Sequence, residues 1–261
     1  MLKGKTALIT GSLGGIGFAT ASALAAQGAN IMLNGFADAD TIRDRQAELE
    51  KTHKVRATYH PADLRHPEQI AQMVKATAET LGGVDIVVNN AVVRYFNPID
   101  KFVPEEWDTA LAVNLSAAFH IIRLGLPYMK AAGWGRIVSM ASTFSLWAVT
   151  DRVDYITTKT ALIGLTRAVA LEIARTNMTC NAICPGSVLT PATEGRVQAE
   201  IARDGTPREK IIDRLTTRLP AGRFIEADNV AGLIAFLCGP HGADINGAAL
   251  PIDGAWSAGR G

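Results

Sequence analysis

The segment Thr10-Gly11-Ser12-Leu13-Gly14-Gly15-Ile16-Gly17 constrains this chain more than any other, because of what stands on either side of it. Before it runs the apolar stretch Thr6-Ala7-Leu8-Ile9, which reads as a strand. After it comes Phe18 to Gln27, alanine-rich and helical in composition. Glycines let a backbone pass close to a bulky anion, and a helix N-terminus offers its unpaired N–H groups to negative charge. Glycines alone would say little, since loops carry them for turn geometry. Strand, glycine turn and helix together are the context in which the pattern holds a dinucleotide pyrophosphate.

The rest of the chain repeats that alternation. Strands are predicted at 30–34, 55–59, 84–88, 135–140, 178–184 and 248–252, the last an edge strand where Pro251 is tolerable. Helices are expected near 38–52, 67–81, 107–131 and from about Tyr155 to Arg175. This rhythm predicts an α/β fold: a single doubly wound, Rossmann-like parallel sheet over residues 1–261, helices on both faces, ligands at the strands' carboxyl ends. One segment, 187–224, is long, charged and partly helical, and is the candidate substrate lid.

Composition excludes several alternatives. Lysine and arginine number 26 against 25 acids, so no charge excess argues for a nucleic-acid or membrane-surface partner. The three cysteines, Cys180, Cys184 and Cys238, read as buried thiols of a reducing compartment, and the five histidines lack metal-ligand spacing. No stretch reads as a signal peptide or membrane span, so a cytoplasmic location is expected.

A second constellation carries chemistry. Tyr155 and Lys159 stand four apart and share a helix face, with Ser142 thirteen residues before the tyrosine. An ammonium beside a phenol stabilises the phenolate, and such a phenol can exchange a proton with an alcohol or ketone oxygen near neutral pH. With a nucleotide loop in the same chain, this points to alcohol–ketone oxidoreduction.

Over essentially its whole length the sequence resembles the short-chain dehydrogenase/reductase family. The residues that carry the resemblance are the glycine loop, Asp63, Asn89-Asn90-Ala91, Asn114, Ser142, Tyr155, Lys159 and Pro185-Gly186. Within the family it looks most like the bacterial NAD-dependent D-3-hydroxybutyrate dehydrogenase group. The resemblance implies a tetrad: Tyr155 as acid/base, Lys159 on the nicotinamide ribose, Ser142 as donor to the carbonyl oxygen, and Asn114 fixing a water that links Lys159 to solvent. It also implies cofactor contacts from Gly11, Ser12, Leu13, Gly15, Ile16, Gly17, Phe36, Asp63, Leu64, Asn90, Ala91, Tyr155, Lys159, Pro185, Gly186, Val188 and Thr190. Phe36 would cover the adenine and Asp63 bond the base, although Phe36 also reads as core and Asp63 as a cap or turn residue. No arginine or lysine stands at Ser12, Leu13, Asn34, Gly35 or Phe36 to meet a 2′-phosphate, which favours NAD over NADP. The usual ribose acid is missing too, although Asp38 and Asp40 follow.

The departures from that group concern substrate. Arg94, Phe144, Arg152 and Arg196 stand where polar residues hold the carboxylate, and Val92 replaces a glycine. A guanidinium fork suits carboxylate or sulfonate oxygens. The expectation is therefore a small anionic hydroxy acid, anchored by Arg152 with Arg94 or Arg196. Phe144 and Trp147 would form an apolar wall, with Ser142 and Tyr155 at the reacting oxygen. Two other readings stand beside it: an enzyme of neutral polyols, sugars or ring ketones, and a nucleotide-binding protein without turnover. The resemblance further implies a homotetramer, in which Trp256 would reach a neighbour's site.

Overall fold

The computed structural model describes residues 1–259 and lays seven strands side by side in one parallel sheet. They are β1 (Thr6–Ile9), β2 (Asn30–Asn34), β3 (Ala57–His60), β4 (Ile86–Asn89), β5 (Gly135–Met140), β6 (Met178–Pro185) and β7 (Ala249–Ile252). Their spatial order is β3-β2-β1-β4-β5-β6-β7, so the chain's direction of travel reverses between β1 and β4. In such sheets ligands bind outside the carboxyl ends at that reversal.

Alternation along each strand splits the core into two layers. Ile9, Ile31, Leu33, Val88, Val138 and Ile183 face helices α1 (Gly15–Ala26), α2 (Ala39–His53) and a helix over Ala227–Cys238. Leu8, Met32, Val87, Ile137 and Cys180 face the other way. They meet α3 (Pro67–Leu81), a helix over Ala117–Ala132 and a helix over Val153–Glu172. Both sheet faces are covered, which is why the strands read as continuous apolar runs.

The element boundaries follow local chemistry. Helix α3 begins on Pro67 and ends against Gly82 in the left-handed region, both as the sequence predicts. Strand β4 starts two residues later than expected, because the Asp85 carboxylate accepts from the Thr6 N–H at 2.9 Å and from Lys5 at 3.1 Å. The long helix starts at Pro104, not Trp107: α4 (Pro104–Leu111) runs through a π turn at Ala112–Ser116 into α5 (Ala117–Ala132). This stretch is apolar enough to span a bilayer by composition alone, yet Ala117, Ile121, Ile122 and Met129 pack into the core. Helix α6 (Val153–Glu172) carries the tyrosine and lysine, and its last turn gives way before Arg175. The 187–224 segment folds into α7 (Pro191–Asp204) and α8 (Arg208–Thr216). Two ion pairs join them, Arg208 on Glu194 at 2.8 Å and Arg214 on Glu200 at 2.5 Å. Helix α9 (Ala227–Cys238), which the pattern reading does not anticipate, packs on α1.

Candidate active site

At the sheet's reversal the glycine loop after β1 meets the loop after β4. Asn90 binds the two together: its Nδ2 donates to the carbonyls of Thr10 and Gly11, each at 2.9 Å. The Thr10 hydroxyl in turn accepts from the N–H groups of Asn90 and Ala91. A Cβ at Gly17 would lie 2.1 Å from the Gly11 oxygen, and one at Gly11, where φ is +61°, would lie 2.9 Å from Ala91 Cα. Only hydrogen fits at either place. Helix α1 opens at Gly14 with no side-chain cap and no acid in its first turn, so its unpaired N–H groups and positive dipole end stay available to an anion. Leu13 and Ile16 pack on the core, and Thr190 caps α7 beside Gly15, bringing the lid's first turn onto the phosphate loop. These features fit a dinucleotide pyrophosphate.

Some expected cofactor residues stand differently. Ser12 is fully buried: its hydroxyl donates to Ile9 O at 2.8 Å and its N–H to Asn34 O at 2.8 Å. The hydroxyl thus ties the loop to β1 and the N–H ties it to β2, and neither is left for a phosphate. Leu64 and Val188 pack into the core. Phe36 is 75% exposed, which rules out the core reading. Asp63 is no helix cap, since His66 occupies that place on α3. Its carboxylate grips the Arg65 guanidinium at 2.5 Å, and that hydrogen-bonded cation holds it below the ordinary carboxylate range. Asp38 caps α2 through the Thr41 N–H and Asp40 pairs with Arg43, so neither carboxylate is free at the end of β2. Pro185 and Gly186 are fixed through main-chain groups, the former to the Thr143 hydroxyl at 2.7 Å and the latter to Ile252 O.

The four tetrad positions come together from three elements. Ser142 lies just past β5, 5% exposed, with its Oγ accepting from Phe144 N–H at 3.1 Å. Tyr155 is buried in the first turn of α6, with the Lys159 Nζ 5.7 Å from its ring centre. Lys159 is 3% exposed and donates to the Met140 carbonyl at 2.5 Å. Burial, reinforced by the Arg94 charge, brings its ammonium down to about 7. Asn114 sits in the π turn, a helical defect often found at functional sites. Its amide grips the main chain of Val93 at both ends, N–H to Oδ1 at 2.9 Å and Nδ2 to O at 3.1 Å.

Around Tyr155 the structure gathers the residues that depart from the hydroxybutyrate dehydrogenase pattern. The Arg152 guanidinium carbon lies 4.5 Å from the Tyr155 ring centre and Arg94 lies 5.5 Å from it. Arg152 and Arg196 flank one ring, Phe96, at 4.2 and 5.9 Å. None of the three arginines forms an ion pair among the described residues, and the buried Nε of Arg152 has no hydrogen-bond acceptor. Burial lowers the pKa of Arg152, and the neighbouring Arg94 and Arg196 charges add to that. Opposite stands an aromatic wall. Phe144 meets Trp147 edge-on at 4.8 Å and Trp256 at 5.5 Å, and the two tryptophans are 5.2 Å apart. Trp256 is therefore part of the aromatic wall of its own chain. Phe96 and Asp154 escaped the sequence reading; a phenylalanine two residues after Arg94 was the only available signal for the first.

Comparison with known proteins agrees with this arrangement. A family model described as enoyl-(acyl carrier protein) reductase matches residues 11–257. The chain is 43% identical to a D-beta-hydroxybutyrate dehydrogenase of Cupriavidus necator, over 99% of this chain and 100% of that one. It is also 43% identical to the D-beta-hydroxybutyrate dehydrogenase of Rhizobium meliloti, over 97% and 99%. Among solved structures, L-sorbose reductase from Gluconobacter frateurii, complexed with NADPH and L-sorbose, superposes with a TM-score of 0.94 at 28% identity, covering 99% of this chain and 98% of that one. With a nucleotide loop at the sheet's reversal and a buried serine, tyrosine and lysine beside it, the chain belongs to the short-chain dehydrogenase/reductase family, as an oxidoreductase acting on CH–OH groups.

Proposed function

We propose that the protein is an NAD-linked dehydrogenase of a small anionic hydroxy acid, 3-hydroxybutyrate or a related carboxylate or sulfonate. One observation carries this reading: Arg94 and Arg152 stand beside the catalytic tyrosine without acid partners, and Arg196 shares the Phe96 ring with Arg152. Unpaired cations in a partly desolvated cleft repel one another, and an anion relieves that repulsion while satisfying their donors. The relatives named as D-beta-hydroxybutyrate dehydrogenases support a hydroxy acid. NAD is supported by the end of β2, where Asn34, Gly35 and Phe36 offer no cation to a 2′-phosphate. By family resemblance the working form is a cytoplasmic homotetramer.

The chain's own groups then divide the work. A bound nicotinamide supplies the hydride exchange at the carbinol carbon. Tyr155 Oη takes the hydroxyl proton in oxidation and returns it in reduction. The Ser142 hydroxyl donates to the same oxygen wherever negative charge grows on it. Lys159, held on the Met140 carbonyl, keeps a cation below the tyrosine ring. Arg152, with Arg94 and Arg196, orients the acid group, and the Phe144–Trp147–Trp256 wall excludes water from the other side.

An NAD-reduction screen over 2- and 3-hydroxy acids, hydroxysulfonates and polyols tests the proposal. Turnover confined to the anions, with a KM that rises with ionic strength, is the expected result. Arg152→Gln should raise the KM of the best anion by about tenfold or more, from loss of a charge-assisted fork. Equal turnover of neutral polyols, with no effect of that change, would transfer the protein to the sugar and polyol enzymes.

A further inference from the structure

The loop over residues 90–98 carries Arg94 and Phe96, has no regular structure, and is nevertheless tied down at three points. The first is Asn90 with Ala91, held by the Thr10 hydroxyl. Next comes Val93, gripped at both main-chain groups by Asn114. The last is Tyr95, whose N–H donates to Asp154 Oδ2 at 3.3 Å. Asp154 is the only one of these anchors that brings a charge, and it is completely buried. It stands between Arg152 and Tyr155 in the chain, in the first turn of α6. Its other oxygen, Oδ1, has no hydrogen-bond donor.

A buried side chain whose second oxygen goes unmet is costly to keep, so the one hydrogen bond it does accept, from the Tyr95 N–H, is what its place in the fold has to account for. Its placement supplies a further use. Asp154 favours the charged state of the Arg152 guanidinium by its field, yet no ion pair within 4.0 Å joins the two. The arginine is thus steadied by an acid that does not occupy its fork. The same carboxylate holds the loop on which Arg94 and Phe96 stand, and Phe96 is the ring that Arg152 and Arg196 share. Thr158 closes the arrangement from behind, its hydroxyl donating to Asp154 O at 2.8 Å while the Asn114 amide approaches it at 3.4 Å.

The geometry points to Asp154 as a positioning residue for substrate specificity: through the Tyr95 N–H it fixes the loop that brings Arg94 and Phe96 to Arg152. The inference rests on the anion-binding reading given above. It concerns a residue that touches neither substrate nor cofactor, so its effect belongs in KM for an anionic substrate and not in kcat.

Asp154→Ala removes the acceptor, whereas Asp154→Asn keeps an oxygen for Tyr95 and loses only the charge. With NAD and racemic 3-hydroxybutyrate, Asp154→Ala should raise KM by about tenfold with kcat within about twofold, and Asp154→Asn should stay within about threefold of the parent in both. Amide hydrogen exchange should quicken at Tyr95 in the alanine variant alone. A parent-like Tyr95 exchange rate in Asp154→Ala overturns the inference. So does an asparagine variant as impaired as the alanine one, or a parent-like KM in Asp154→Ala when Arg152→Gln raises it. The two readings fail separately. If Arg152→Gln leaves KM unchanged while Tyr95 exchange still quickens in Asp154→Ala, the anion clamp is wrong and the anchor stands.

Discussion

The two halves of the site are built on opposite terms. On the nucleotide side the polar side chains are spent within the protein: Ser12 on Ile9 and Asn34, Asn34 on His60 and Ala62, Asn90 on Thr10 and Gly11. Backbones there pass so closely that two glycines have no room for a methyl group. On the substrate side, donors go unmet and apolar side chains face water. Arg152 Nε has no acceptor, Phe96 and Leu146 are half exposed, and Asp151 takes a left-handed conformation at φ +61°. A site for one fixed cofactor shape is completed by its own contacts. A site for a variable substrate leaves part of its hydrogen bonding to the ligand.

The sharpest blow to the pairing of the halves falls where they meet. Tyr155→Phe removes the proton path and leaves the shape intact, so kcat should fall by about a thousandfold while nicotinamide binding, followed by fluorescence, stays unchanged. Next comes the crowded side. Gly17→Ala forces a methyl group against a carbonyl oxygen and should cost at least about 3 kcal/mol of unfolding free energy in denaturant titration. Lys159 sets up a pH test. Its folded-state pKa, about 7, lies below its ordinary value of 10.5 because of burial, so the unfolded chain binds the extra proton between those limits. Stability of the cofactor-free protein should therefore rise with pH from about 7 towards 10.5, and Lys159→Met should flatten that rise, worth on the order of a few kcal/mol. The smallest effect is expected on the open side, where Leu146→Ala should stay within about 0.5 kcal/mol. A Leu146 penalty equal to that of Gly17 would erase the contrast.

The nucleotide half and the sheet were legible because local chemistry dictates them. Thr6–Ile9, Gly135–Met140 and Pro67–Leu81 carry their own signals: apolar runs buried on both faces, and a proline start with a glycine stop. The tetrad was legible through spacing, four residues for Tyr155 and Lys159. What escaped depends on contacts distant in sequence. Ser12 was expected among the cofactor contacts, and only the approach of Asn34 shows its hydroxyl turned inward. Trp256, near the chain's end, could not be placed until β7 returned beside β6 and set it against Phe144. Helix α9 has its apolar face defined by α1, some two hundred residues earlier, which no short-range pattern encodes. The grouping of Arg152 with Arg94 or Arg196 was expected only through the family resemblance, not from any local pattern. Each stands on a different segment, and Phe96, which joins two of them, has no periodicity to mark it.

The three thiols set apart at the outset have a practical consequence. Cys180, Cys184 and Cys238 are unpaired and buried, and burial raises them to about 12, 11 and 12. Thiolate is the species that alkylating reagents capture, so in the intact protein these sulfurs are shielded twice, by access and by protonation. They lie in β6 and α9, one in each of the core layers and one in a small cluster with Ala141, Ile163 and Ala182, so each reports on a different part of the interior opening to solvent. Labelling kinetics at these three positions would turn the wild-type chain into its own probe of partial unfolding, with no engineered reporter required.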